Sequence, residues 1–210
     1  MKARYDDIDE YIRDLREEIK TNDKCANHYY NLGLAFLSKR DFVAAEDAFL
    51  KAVENSPRLA EAYVQLGGIC QSRGDLDGCL RYNEEAANLR PKFAIPQSNI
   101  AYARLQKGEP DKAMEAIAKA LQWNPNFTQA KNALGIAHYM KKEYGEAEKV
   151  FLDLLREQPE FAPAWHNLSL NMFDQGRFDE AVEASDRAAN LGYEIPEGFL
   201  KELEPYRKRS

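Results

Sequence analysis

Between Ala26 and Leu191 the apolar positions fall at spacings of three and four, and whole blocks of them return every 34 residues. Leu32–Gly33 is followed at that interval by Leu66–Gly67, Ile100–Ala101, Leu134–Gly135 and Leu168–Ser169, without insertion or deletion. Such spacings put these residues on one side of an amphipathic helix. The small second member marks where another helix must come close. Ala45, Cys79, Ala113, Ala147 and Ala181 hold the matching small position on a second helix in each block. Pro57, Pro91, Pro125 and Pro159 end those second helices, because proline cannot continue one. Gly74, Gly108 and Gly176 fall at the turn inside the pair, where a residue able to take positive φ is wanted. A fixed period of this size marks a stacked repeat protein. The pattern predicts five helical pairs and no strand.

The first helices are expected to begin near Ala26, Ala60, Ala94, Thr128 and Ala162. The second helices follow the turns at Asp41, Asp75, Asp111, Glu143 and Asp179, acidic residues suited to helix N-termini as caps or dipole partners. Pro96 and Pro163 fall in first turns, where a missing N–H is harmless. Ahead of the repeats, residues 5–20 carry Tyr5, Ile8, Ile12, Leu15 and Ile19 on one stripe. This helix is expected to seal the first repeat, with self-association as the alternative. After Leu191, Gly192 stops the last second helix. A final segment, residues 197–207, presents Phe199, Leu200 and Leu203, and Pro205 limits its length. Repeat two carries Gly78 and Asn83 inside its second helix, and a helix-interior glycine costs about 1 kcal/mol relative to alanine. That repeat is expected to be the softest.

The line Tyr29, Leu32, Gly33, Phe36, then Ala45, Phe49, Ala52 and Pro57 resembles the tetratricopeptide repeat (TPR) family, and the resemblance covers residues 26–195. It implies an all-α, right-handed superhelical solenoid of five helix-turn-helix repeats, 26–59, 60–93, 94–127, 128–161 and 162–195. These form one domain with a single continuous core. Residues 1–25 would supply an N-terminal capping helix, and residues 196–210 a C-terminal capping helix and basic tail. Departures are local: Gln97 and Arg104 replace aromatics in repeat three, and Tyr193 stands where a fifth closing proline belongs.

In this family the first helices line the inside of a groove, so the resemblance places their non-packing side there. That side carries Tyr30, Leu34 and Leu37 in repeat one, and Tyr102 with Leu105 in repeat three. Ile136, Tyr139 and Met140 follow in repeat four, then His166, Leu170 and Phe173 in repeat five. Packing between neighbouring repeats would consume some of these, with Leu34, Leu37 and Leu105 the foremost candidates. The rest, particularly Tyr102, Tyr139, Met140 and Phe173, leave an apolar patch too large to be idle. Asn31, Gln65, Asn99 and Asn167 share one register, interrupted by Ala133, with Asn132 beside the gap. An amide both donates and accepts, so a ladder of them suits the main chain of an extended peptide.

The expected function is a protein–protein interaction module that holds a peptide or helix of a partner in this groove. The alternatives are a self-assembling scaffold working through the N-terminal helix, or an accessory subunit of a larger assembly. Clamping of a chaperone tail's carboxylate, known in the family, is not expected: Tyr30 and Leu34 stand where the first Lys–Asn pair would be.

The chain's net charge of −6 disfavours nucleic acid and anionic lipid as partners, and the basic tail Arg207–Arg209 is short. No apolar run approaches the ~20 residues of a membrane span. The N-terminus lacks the apolar core of a secretion signal. Three cysteines, an odd number, argue for a reducing compartment, and the cytoplasm is the expected location. Cys70 and Cys79 read as inert core thiols. His28, His138 and His166 lie in different repeats without a companion ligand three or four residues away. Glu17–Glu18 and Glu84–Glu85 are sequence neighbours on helices, hence splayed. Neither an enzyme nor a cofactor is expected.

Overall fold

The structure, a computed structural model, describes residues 7–207; Tyr5 and the end of the basic tail, Lys208 and Arg209, lie outside the described residues. Among those described there are α-helices, one 3-10 turn and no strand. Where one continuous core is expected, the chain divides into two compact units, Met1–Ala103 and Arg104–Ser210. The division falls in repeat three, where Gln97 and Arg104 replace aromatics.

Unit 1 opens with α1 (Ile8–Thr21), capped by Asp7, whose carboxylate accepts the Asp9 N–H at 2.8 Å. The stripe read from the sequence packs in cis. Ile12 and Leu15 are buried with Leu32, Ala35 and Ala48 of the first hairpin, and Ile19 and Phe36 close around them. Ile8 is exposed. Two hairpins follow, α2 (Ala26–Ser38) with α3 (Phe42–Asn55), then α4 (Ala60–Ser72) with α5 (Leu76–Leu89). Helix α6 (Ala94–Gln106) runs across the division.

Gly33 explains the close approach inside the first hairpin. A Cβ there would sit 2.6 Å from the ring of Phe49, which is fully buried. Gly67 makes the same approach to Asn83 rather than to an aromatic ring. Asn83 is itself fully buried. Its amide donates to the Cys79 carbonyl at 2.8 Å, and its oxygen accepts from the Asn99 side chain at 2.9 Å. Gly78, expected to weaken α5, has a packing reason: a Cβ there would meet Asp75 at 2.2 Å and the Cys70 sulfur at 2.8 Å.

Unit 2 continues with α7 (Pro110–Trp123), the hairpin α8 (Thr128–Met140) with α9 (Tyr144–Glu157), and the hairpin α10 (Ala162–Asp174) with α11 (Phe178–Asn190). Gly135 repeats the approach of Gly33, with Phe151 the fully buried partner. The segment after Gly192 forms α12 (Glu197–Leu203) and a 3-10 turn over Glu204–Tyr206, with Pro205 inside the turn. Ile195, Phe199 and Leu203 are buried in the core of the α9–α11 region. Leu200, expected beside them, is exposed.

Helix ends follow the punctuation. α3, α5, α7 and α9 each stop at the residue before a proline, Ser56, Arg90, Asn124 and Gln158, because that residue is pushed out of the helical region. α11 ends instead on Gly192 at φ 84°, with Tyr193 N–H donating to the Ala188 carbonyl and Gly192 N–H to the Ala189 carbonyl, a Schellman arrangement. Gly74, Gly108 and Gly176 take positive φ as expected, but Arg40 (φ 59°) and Lys142 (φ 61°) fill the same turn without glycine. Asp41 and Asp75 cap their helices, accepting from Ala44 N–H at 3.1 Å and Gly78 N–H at 2.8 Å. Asp111 and Asp179 sit inside the first turn instead, behind the caps Glu109 and Arg177.

One device was not read from the sequence. A basic residue just past a first helix ties back to an earlier helix: Lys39 to Asp9, Arg73 to Glu46 through two contacts at 2.6 and 2.7 Å, Lys141 to Asp111 at 2.8 Å. Lys39, Arg73, Lys107 and Lys141 recur at the repeat interval, a signal of the same kind as the glycines and prolines.

Candidate protein-binding faces

The expected site residues sit on the first helices, and each unit presents its own face. In unit 1, Tyr30 on α2 is half-buried, its ring tilted at 5.7 Å against Phe49. Burial pushes its hydroxyl above the ordinary phenol range, with the neighbouring Gln65 amide partly opposing. Asn31, Gln65 and Asn99 are half-buried. Asn99 is committed in part to the core through Asn83. Leu34, expected to pack between repeats, is open at 38% exposure, and Tyr102 is open at 41%. Leu37 does pack into the core as expected.

In unit 2 the face is more heavily engaged by the chain itself. Asn132 is buried and accepts from the Asn167 side chain at 3.0 Å. Ile136 and Leu170 are half-buried against the core, and Met140 is exposed. Tyr139 donates its hydroxyl to Asp174 at 2.8 Å; burial, then that carboxylate, raises its pKa well above the phenol range. Leu105 is buried.

The repeat-five pair differs most from expectation. His166 is 6% exposed, stacked on Tyr193 at 4.9 Å and met edge-on by Phe199. Phe173 is covered by Phe178, Phe199 and Tyr206. The segment after Gly192 lies over both, burying His166 and leaving Phe173 half-buried. Burial holds His166 below the ordinary imidazole range. The unfolded chain then takes up a proton first as pH falls through about 6.5, so this contribution is present at neutral pH and lost toward acid. Melting of the wild type is expected to fall more steeply from pH 7.5 to 5 than melting of His166→Phe. Equal slopes would show that His166 is not the titrating group.

A charge asymmetry missed in the residue patterns separates the two kinds of helix. α2 has no Asp, Glu, Lys or Arg, and α4, α6, α8 and α10 have one each, namely Glu61, Arg104, Lys131 and Asp174. The second helices carry four to six apiece. In a chain that is 30% charged, the first helices are set apart as the uncharged surface.

A cleft in unit 2 escaped the sequence reading. This cleft, of about 560 Å³, is lined by Leu152, Trp165, Leu168 and Met172, together with Glu183 and Arg187. The Trp165 indole N–H donates to the Pro159 carbonyl at 2.8 Å, and Arg187 lies 5.9 Å over its ring. Cys70 and Cys79 are buried, and burial pushes the Cys79 thiol up to about 11. No helix among the described residues is long and apolar enough to cross a membrane. Those residues contain no group of three His, Cys, Asp or Glu arranged to hold a metal ion.

Comparison with known proteins agrees with this architecture. The uncharacterized protein ycf37 of Cyanophora paradoxa is 29% identical over 104 residues, which is 48% of this chain and 59% of that protein. The crystal structure of YrrB, described as a TPR protein with an unusual peptide-binding site, superposes with a TM-score of 0.65 at 20% identity, over 84% of this chain and 91% of YrrB. A tetratricopeptide repeat protein from Parabacteroides merdae ATCC 43184 superposes with a TM-score of 0.78 at 16% identity, over 90% of this chain and 75% of its own. At these identities the structural likeness speaks for the fold. Two tetratricopeptide repeat profiles match the sequence itself, over residues 9–60 and residues 104–171, together more than half of the chain. The chain belongs to the tetratricopeptide repeat family.

Proposed function

We infer that the chain is a protein–protein interaction module that takes a peptide or helix of a partner on the faces of its first helices, through apolar and amide contacts. One observation carries this reading: five helices almost empty of charge present Leu34, Tyr102 and Met140 to solvent. A solvated helix face in a chain this charged would be expected to carry charge, whereas a face that meets a partner loses its water and favours apolar and uncharged groups. Asn31 and Gln65 add donors and acceptors beside Leu34 without adding charge. YrrB, similar in fold, is described as having a peptide-binding site. In this chain Asn99, Asn132 and Asn167 spend hydrogen bonds internally and His166 is buried, so recognition falls mainly to the remaining residues of the two faces.

The test is a triple substitution at exposed positions, Leu34→Ala, Tyr102→Ala and Met140→Ala, with the chain as bait for partner capture. Helicity is expected to be kept, and capture reduced roughly tenfold or more, as for anchors at the centre of an interface. Undiminished capture would move recognition off these faces, with the cleft around Trp165 next to be tested.

A further inference from the structure

Gly68 stands in the middle of α4 with no reason in the fold for being glycine. Gly33, Gly67, Gly78 and Gly135 each have a neighbour that a Cβ would strike, whereas a Cβ at Gly68 meets nothing within 4 Å. Its φ is not in the left-handed region, so the backbone does not require glycine either. Inside a helix glycine is the least favourable residue after proline, and this one is exposed. What glycine provides at such a place is close approach of another chain to the helix backbone.

Its surroundings say what would approach. Leu34 and Tyr102 lie one repeat before and one repeat after Gly68, and both are exposed apolar side chains in the same register. The Gln65 amide adjoins the Tyr30 hydroxyl, which sets α4 alongside α2 one turn before Gly68 and Leu34. The missing side chain therefore leaves a notch in an otherwise apolar row. α2 brings no charge to this face, and the one charge on α4, Glu61, is held by Arg90 at 2.5 Å. A charged segment laid here would lose water without gaining a counter-ion, which is costly.

The geometry points to Gly68 as the anchor notch of unit 1: it accepts one large apolar side chain from an extended, uncharged segment of a partner protein. Asn31 and Gln65, one turn away on the same helices, serve that segment's main chain. This rests on the reading of the first-helix faces as the binding surface and specifies the chemistry of the segment bound there.

A displayed library of random 12-residue peptides, selected on the full chain, supplies the probe. The strongest selected peptide is then synthesised and titrated against wild type, Gly68→Ala, Gly68→Leu, Leu34→Ala and Tyr102→Ala. Selected sequences are expected to share one aromatic or large aliphatic position flanked by uncharged residues. Gly68→Leu is expected to weaken binding roughly tenfold or more, the equivalent of losing one well-placed contact, with Gly68→Ala intermediate. Helicity and melting temperature should be kept or raised, since the glycine is replaced by a better helix former. Binding lost in Leu34→Ala or Tyr102→Ala but kept in Gly68→Leu overturns the notch and leaves the face standing. Binding indifferent to all four substitutions, selected peptides dominated by charge, or no peptide selected at all, overturns the notch and counts against the face as well.

Discussion

Phe151→Ala is expected to remove about 3–5 kcal/mol, the range for truncating a fully buried phenylalanine. The ring has no exposure, sits in the space that the missing side chain of Gly135 leaves, and shares its cluster with Ala147, Leu154, Leu155 and Leu168. Filling the hole from the glycine side is not available to the mutant, because α8 and α9 are already at contact distance there. A loss of this size is a large part of the ~5–15 kcal/mol that holds a typical domain folded. The measurement is favourable: both tryptophans, Trp123 and Trp165, lie in unit 2, so their fluorescence in urea reports on that unit. Phe49→Ala is the counterpart in unit 1, read by circular dichroism. A midpoint in Phe151→Ala indistinguishable from wild type would mean that the glycine–phenylalanine contact does not organise the hairpin.

The second large effect is expected from removing residues 193–210. That segment buries Ile195, Phe199 and Leu203, each worth about 1.5–3 kcal/mol when fully withdrawn from water. It also covers His166 and Phe173, and Arg207 ties it to Asp186 at 2.6 Å. The shortened chain should melt at lower temperature by tryptophan fluorescence. It should also bind hydrophobic dye and associate with rising concentration in sedimentation, because the uncovered surface must find another cover. Unchanged melting with no association would show that the segment rests on unit 2 without stabilising it.

Helix placement was legible because its signals are local. The first helices start at the five positions that the 34-residue register marks, since each small–large pair and each proline acts within a few residues of its own place. Capping was only partly legible: Pro110 takes the first position of α7 and shifts the cap to Glu109, leaving Asp111 within the first turn. Arg40 and Lys142 in the left-handed region could not be read, because neither residue type signals that conformation and only the surrounding turn imposes it. At the faces, the apolar side chains of Tyr102 and Met140 were legible from the residue types, and both are exposed. The fates of His166 and Phe173 were not, since their covers, Phe199 and Tyr206, come from 26 to 33 residues further along. Leu34 and Leu105 occupy comparable sides of their helices, yet one is open and the other buried; helical spacing alone does not separate them.

Tandem hairpins of similar sequence face a hazard of assembly, because one can dock where another belongs. Asn83 gives this chain a means of proofreading. Its buried amide is satisfied on one side by its own helix and on the other by Asn99 of repeat three. If α8 were seated in the place of α6, it would bring Ala133, the one position of that register without an amide, and strand Asn83 at roughly 1–3 kcal/mol. The residue that looks like a flaw beside Phe49 and Phe151 thus tells α6 from α8.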